Sequence, residues 1–424
     1  MNAQTVQQPT EESLEVKGYF ELVPTTKGGY IRVGATPTTA MRANFERDVY
    51  VGPGQILKFA LQTGNYIVGQ ARPPKRNEKS WGLMSVATVD GKPAEERAEL
   101  AQARRIYAFT DQDQNVPVFP DRQIVLSTEP NFLATRYLDL LVPQALGQRT
   151  LTVSGPRSGK TTLLKQILHG VTANNPDVWA MLFLTGERPE EVTDFRRTVN
   201  AEIVASTGDD DDDVIVEVAQ NGMEAAKCRA LAGQHVFVAF DSITRYVRAL
   251  NMILPGSGKT LSGGLDPQAL TRARKFFMSA RRFENGGSLT IVATCLYQTD
   301  STLDDNVFME FKGTGNSEIY LDSALADLKQ FPTLMLLKSS TRNEHLVFTP
   351  GQEAQFGLLW KLVMSFKQMA EADAGKKNVR NTNAFVNQMV NQLFFDLLKR
   401  FPTNAAFMDE VNRLFKNASN GPKS

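Results

Sequence analysis

The chemistry of this chain begins at Gly155-Pro156-Arg157-Ser158-Gly159-Lys160-Thr161-Thr162, which follows an apolar run opening at Leu151 and leads into a helical pattern reaching Leu168. A glycine-containing loop between a buried strand and a helix leaves backbone N–H groups free to cradle phosphate, and the helix N-terminus adds positive potential. Lys160 would reach the outer phosphates, and the Thr161 hydroxyl would sit on the Mg²⁺ that travels with them. The strict pattern has glycine where Ser154 stands, so the loop fits at the end that does the chemistry. The expected ligand is ATP with Mg²⁺. A turn that binds nothing is the competing reading, and the carboxylates downstream disfavour it.

Two such carboxylates close apolar runs. Val178 to Leu184 runs into Thr185-Gly186-Glu187-Arg188-Pro189-Glu190-Glu191, and His235 to Phe240 ends at Asp241-Ser242-Ile243-Thr244-Arg245. In an open parallel sheet, ligands bind at the carboxyl ends of the strands. Glu187 can therefore orient or deprotonate an attacking water, and Asp241 can serve the metal. Pro189, Glu190 and Glu191 are also favourable first-turn helix residues, and the two roles are compatible. From Phe132 onward strands and helices alternate, with a fourth strand at Ser288 to Thr294, which implies a mainly parallel sheet covered by helices.

Composition bounds the rest. Hydrophobic residues make up 42% and charged residues 22%, and the net charge is +1, so any nucleic-acid contact must come from local patches. No apolar run reaches membrane-spanning length and residues 1 to 15 lack a signal-peptide core, so a cytoplasmic protein with no membrane partner is expected. Cys228 and Cys295 are expected as buried hydrophobes.

Five short β-rich runs between Gly18 and Thr88, with a helical insertion at Pro53 to Leu61, predict a small barrel of the oligonucleotide-binding kind. Its candidate contacts are Tyr19, Tyr30, Arg32, Arg47, Tyr50, Arg72, Lys75, Arg76 and Trp81, a mixture of stacking rings and phosphate-pairing cations. The alternative is that the rings pack the barrel and the cations form a solvated rim. A charged helical stretch at Pro93 to Arg105 reads as part of a connector. The five aspartates ending at Asp213 read as a solvated loop. Pro255 to Gly264 is too glycine-rich for regular structure and suits a mobile loop touching a polymer through its backbone and Lys259. Residues 366 to 383 read as a linker or frayed helix, and Ala384 to Phe401 as an amphipathic helix packed on the body of the protein. Periodicity alone makes Arg342 a surface arginine. The expected organisation is an N-terminal arm (1–16), a barrel (17–90), a connector (91–130), an α/β ATPase core (131–365) and a C-terminal helical extension (366–424).

Taken together, Ala71-Arg-Pro-Pro-Lys75, Gly155 to Thr162, Glu187 to Thr193, Asp241 to Arg245, Ser257 to Gly264, Gly286 to Thr290 and Glu310 to Asn316 resemble the bacterial Rho transcription termination factors. Over residues 17 to 365 the resemblance implies an OB-like barrel followed by a RecA-like core. It also implies a homohexameric, RNA-dependent ATPase that translocates along single-stranded RNA, with RNA polymerase as a further partner. It assigns Glu187 to water activation, Asp241 to the metal and Phe331 to packing on adenine. Arg342 becomes an arginine finger supplied by the neighbouring subunit, and Arg188 an arginine coupling the site to that interface. Lys259, Thr260, Leu261 and Ser262 would contact RNA in the central channel, as would Thr302, where the pattern has lysine.

The chain departs from the pattern in places. Against that pattern, the short stretch before the first strand leads to the expectation that the small helical domain preceding the barrel in many Rho proteins is missing, and the tail beyond Phe366 reads as longer than usual. The barrel's stacking phenylalanines fall on Gly28 and Tyr30, and a pocket tyrosine on Ser80, next to Trp81. A missing ring forfeits about 1–3 kcal/mol of stacking per base, so pyrimidine selectivity should weaken. The competing functions are a rotary or secretion-type hexameric ATPase indifferent to RNA, and a non-catalytic RNA-binding ring. The barrel and the Phe311 to Asn316 motif argue against the first, and the complete hydrolytic set argues against the second.

Overall fold

The computed structural model describes residues 13–419 except 24–26, 35–37, 39, 40, 45, 104–108, 110, 112–114, 257, 259, 285 and 378. Lys259 and most of the expected N-terminal arm lie outside the described residues. The chain divides into two compact units, residues up to 115 with 217–232, and residues 116–216 with 233–424.

The first unit is built on β1 (Leu14–Val23), β2 (Gly28–Arg32), β3 (Val49–Val51), α1 (Pro53–Phe59), β4 (Tyr66–Arg72), β5 (Trp81–Val89) and the short β6 (Lys92–Pro93). The strands follow the order β3-β2-β1-β4-β5-β6, and a β3–β5 pairing through Val49↔Trp81 and Tyr50↔Gly82 closes the barrel. Closure removes the exposed edges of a five-stranded sheet. Inside are Val16, Phe20, Ile31, Val51, Ile67, Ala71 and Val89, all buried. The helix α2 (Ala94–Gln102), assigned to a connector by sequence, belongs with the barrel: Ala94 joins its core and Ala98 packs against it.

Two expected RNA contacts prove to be barrel structure. The Tyr19 ring is buried, and its hydroxyl accepts from Arg229 Nη2 at 3.2 Å. Arg32 is also buried, with Nε 2.6 Å from Glu21 and Nη1 2.6 Å from Asp48. Asp48 also accepts from the Asn44 and Val33 amides. Alternation along β2 points both Ile31 and Arg32 into buried surroundings, so the guanidinium is consumed by the fold.

The second unit carries β7 (Pro117–Val118), α3 (Leu133–Leu141), β8 (Arg149–Ser154), α4 (Lys160–Asn174), β9 (Val178–Glu187), α5 (Pro189–Thr198), β10 (Glu202–Thr207) and the start of α6 (Asp212–Leu231). After β11 (His235–Asp241) come α7 (Ile243–Ile253), α8 (Pro267–Phe277), β12 (Arg281–Phe283), β13 (Ser288–Leu296), α9 (Thr302–Phe311), β14 (Ser317–Leu321), α10 (Ser323–Asp327) and β15 (Ser340–Thr341). The sheet order is β10-β9-β11-β13-β8-β14-β15, and the five inner strands from β9 to β14 are parallel. Their near-continuous apolar sequence fits burial on both faces. Cys228 and Cys295 are free and buried, as their setting in the sequence suggested.

Two sequence expectations are corrected. Residues 366–376 are the second half of α11 (Pro350–Lys376), opened by a capping box between Thr349 and Gln352. Only Leu359, Leu362, Val363, Ala370 and Ala374 of this helix are buried, so its apolar stripe is too narrow to read through a polar surface. The aspartate run is not all loop. Asp210 accepts from the Thr207 amide at 2.8 Å, and Asp212 and Asp213 open α6, where carboxylates complement the helix dipole. The last helices, α12 (Thr382–Leu398) and α13 (Asn404–Ser419), bury Val386, Val390, Phe394, Phe407 and Val411 in the same core as Leu163 and Tyr137.

Arg32→Ala leaves the buried Asp48 carboxylate without its cation. The barrel should lose about 3–5 kcal/mol, read as faster hydrogen exchange of its amides under native conditions. Unchanged exchange would contradict a structural role for this arginine.

Candidate active site

The parallel register brings the strand ends of the hydrolytic motifs together. Leu296 pairs with Ser154, Ala293 with Phe240, and Asp241 with Leu184, so β8, β13, β11 and β9 finish side by side. The phosphate loop leaves β8 and turns into α4 with Gly159 at φ +88°, a conformation only glycine adopts without strain. Ser158 Oγ donates to the Gly155 carbonyl at 2.9 Å, and Thr333 Oγ1 donates to the Ser158 carbonyl at 2.5 Å, fixing the loop from two sides. Pro156 and Arg157 are exposed on its outer turn. The Thr161 hydroxyl makes no hydrogen bond among the described residues, and Thr162 is exposed beside a cavity.

Lys160 Nζ lies 2.6 Å from Asp241 Oδ1 and 3.7 Å from Glu187 Oε1. Both carboxylates are buried. Thr294 Oγ1 donates to Asp241 Oδ1 at 2.7 Å, and Arg245 Nη1 sits 2.9 Å from Glu187 Oε2 while also donating to the Gly186 carbonyl at 2.6 Å. Among the described residues, the buried Glu187 Oε1 has no hydrogen-bond partner. Burial and the nearby Asp241 push the Glu187 carboxyl above the usual carboxylate range, against the pull of Lys160 and Arg245. A desolvated carboxylate with one oxygen unused is suited to hold and deprotonate a water.

Arg245 and Thr294 were not singled out from the sequence. Arg245 had a usable signal: it follows Asp241 by four residues, so the first turn of a helix after β11 returns it toward the strand ends.

Beside the loop lies a cavity of about 440 Å³ bounded by Gly159, Thr162, Gln166, Phe331 and Leu334. The Phe331 ring is exposed at its mouth. Arg188 is exposed at the N-cap of α5.

Arg342 lies elsewhere. It follows β15, its amide donates to the Asn316 carbonyl at 2.8 Å, and β15 pairs with the start of β14. That is the amino end of β8, about 17 Å from the phosphate loop at ~3.3 Å per residue. Arg342 there shares a cavity of about 490 Å³ with Arg149 and Arg281, and no carboxylate lines it.

The expected channel residues also meet. Asn306 Nδ2 donates to the Ser262 carbonyl at 2.5 Å, joining the Thr260–Ser262 segment to α9, whose first residue is Thr302. Leu261 pairs with Leu265 and its side chain is exposed. Arg248 on α7 grips the buried Asp304 at 2.6 and 2.7 Å, and Asn251 donates to the Gly264 carbonyl at 3.1 Å. Thus α7 follows closely on Asp241, carries Arg245 in its first turn, and holds both loops through Arg248 and Asn251.

On the barrel, Tyr30 and Tyr50 meet edge to face with ring centroids 5.6 Å apart. A side chain at Gly28 would meet the Tyr50 ring at 2.6 Å, so the smaller residue makes room for that ring. Lys75 is exposed, Trp81 is half-buried against the barrel core, and Arg72 is paired to Glu78 at 2.6 and 2.8 Å.

A closed oligonucleotide-type barrel together with a phosphate-loop sheet defines a P-loop ATPase with a nucleic-acid-binding module. Residues 16–95 match the Rho termination factor RNA-binding domain, and residues 134–341 match the nucleotide-binding domain of the ATP synthase alpha/beta family. The chain is 37% identical to the transcription termination factor Rho of Bacillus subtilis over 96% of its length and 87% of that protein's. It is 38% identical to Rho of Chromobacterium violaceum over 92% of this chain and 89% of that one, and 37% identical to Rho of Aquifex aeolicus over 94% and 84%. A solved ATPase from the type III secretion system of pathogenic bacteria shares the fold, with TM-score 0.57 and 22% identity over 72% of this chain and 89% of that chain. The chain belongs to the Rho transcription termination factor family and is an ATP-hydrolysing enzyme with a Rho-type RNA-binding domain.

Arg245→Met removes a cation that holds the Glu187 carboxyl down, so that carboxyl should titrate higher still. The acid limb of the pH profile of ATP hydrolysis should move to higher pH, with the alkaline side unmoved. An unshifted acid limb would separate Arg245 from the ionisation of Glu187.

Proposed function

We propose that six copies of this chain form a ring in the cytoplasm that hydrolyses ATP in response to single-stranded RNA and moves along it, ending transcription in contact with RNA polymerase. The observation that carries the catalytic reading is the buried, unpartnered Glu187 Oε1 beside Lys160. In this reading the loop from Gly155 to Thr162 wraps the phosphates, Lys160 neutralises their charge, and Phe331 packs on the base. Glu187 orients the attacking water and accepts its proton while Asp241 stays paired with Lys160. The Thr161 hydroxyl and the Asp241 carboxylate are the hard oxygen donors that would hold Mg²⁺, which neutralises phosphate charge when bound.

Arg342 cannot serve the phosphate loop of its own chain from the far end of β8. Its carboxylate-free cavity suits an anion presented by a neighbouring copy, so it acts there as the arginine finger, with Arg188 at the same junction. A finger supplied across an interface makes hydrolysis depend on ring closure, because its charge counts only in the transition state. The Thr260–Ser262 segment, Lys259 and Thr302 grip RNA in the channel. Tyr30, Tyr50, Lys75, Trp81 and Arg72 receive it on the barrel. The shared secretion-ATPase fold also fits a rotary-type enzyme, but the Rho-type barrel favours RNA.

Hydrolysis should be measured without polymer and with poly(C), poly(U), poly(A) and single-stranded DNA. At least one RNA should stimulate it, and poly(C) should not stand out. Glu187→Gln should lower turnover about 10²–10⁴-fold while nucleotide still binds, the range for loss of a general base. Indifference to every polymer would return the rotary reading, and undiminished turnover of Glu187→Gln would remove the base.

A further inference from the structure

The cavity beside the phosphate loop has two lips, and the C-terminal helices hold both. One lip is the segment from Phe331 to Leu336. There the buried amide of Asn391 on α12 donates to the Leu334 carbonyl and accepts from the Leu336 amide at 3.3 Å. The other lip is Asn131 and the start of α3. There Asn404, the first residue of α13, donates to the Arg136 carbonyl at 3.0 Å and accepts from Arg136 Nε at 3.1 Å. Between these anchors the turn from α12 to α13 carries Lys399, which lines the cavity with Gly159, Thr162 and Phe331.

The placement has a simple origin. Asn391, Phe395 and Lys399 recur every four residues, so they share one face of α12 and its end. All three also line an adjoining cavity of about 270 Å³ behind Phe331 and Pro332. Packing of Phe395 and buried hydrogen bonding by Asn391 orient that face, and Lys399 is carried to the mouth. It is exposed and makes no ion pair among the described residues. It lines both cavities together with Phe331, the residue read as packing on the base, and that shared position places it at the base end.

An ammonium group is a donor with no acceptor capacity. Guanine and hypoxanthine present O6 and N7 as adjacent acceptors, whereas adenine presents N7 beside an amino donor. We propose that Lys399 is a base-reading residue of the nucleotide site, supplied by the C-terminal helices, which narrows the preference for adenine by binding six-oxo purines. The proposal rests on reading this cavity as the base end of the ATP site.

Displacement of a fluorescent ADP from the full-length protein by ADP, GDP and IDP tests both statements without relying on turnover. Lys399→Met should weaken GDP and IDP about tenfold, the size of one charge-assisted hydrogen bond, and ADP much less. Lys399→Arg should keep the wild-type order. An equal change for all three nucleotides, or none, overturns the role of Lys399. Phe331→Ala should weaken all three together. If it weakens none, the base end lies elsewhere and the underlying reading fails, whatever Lys399→Met does.

Discussion

The site depends on holding two carboxyl groups together within one desolvated pocket. Glu187 and Asp241 end neighbouring strands, and the parallel register leaves them no room to separate. Like charges in a low dielectric repel strongly and burial penalises each of them. Lys160 between them and Arg245 behind Glu187 supply the opposing charge, and Thr294 donates to Asp241 from the next strand. The compensation is incomplete at Glu187, where one oxygen has no partner. That residual instability is the chemically useful part, because a carboxylate short of hydrogen bonds gains most from a water and its proton.

The same few elements that hold this charge cluster reach outward from it. Helix α7 follows closely on Asp241 and holds the two loops expected to touch RNA, through Arg248 to Asp304 and Asn251 to Gly264. Strand β8 opens at Arg149, next to the Arg342 cavity, and closes at the phosphate loop. Short, fully hydrogen-bonded elements change little in length. The phosphate loop and the Arg342 cavity are therefore held at a fixed separation by one strand.

Relatives with quite different tasks share the parallel sheet, so the sheet itself decides little about function. What distinguishes this chain is what is joined to the sheet: the Rho-type RNA-binding barrel and the C-terminal helices that frame the cavity beside the phosphate loop. The barrel illustrates how a site can be altered without altering its scaffold. The space left by Gly28 lies against the Tyr50 ring, so aromatic surface is redistributed between adjacent strands while the closing β3–β5 pairing remains.

The amino-acid sequence by itself determined the ATPase class, the barrel, the strand ends that carry Glu187 and Asp241, and the family resemblance. These rest on local pattern: apolar runs of strand length, turn residues between them, and a glycine loop before a helix. Tertiary structure alone decided which charges are spent. Arg32 looks like the other barrel cations until Asp48, on a different stretch of the chain, is seen to hold it. Arg245 gained a partner through a helix turn, Arg342 was placed at the far end of the sheet, and α11 proved continuous where its polar surface suggested a linker. Lys399 came to the cavity beside the phosphate loop from a region with no motif at all. Charge pairing and cavity walls are set by which elements meet in space, and no local periodicity records that.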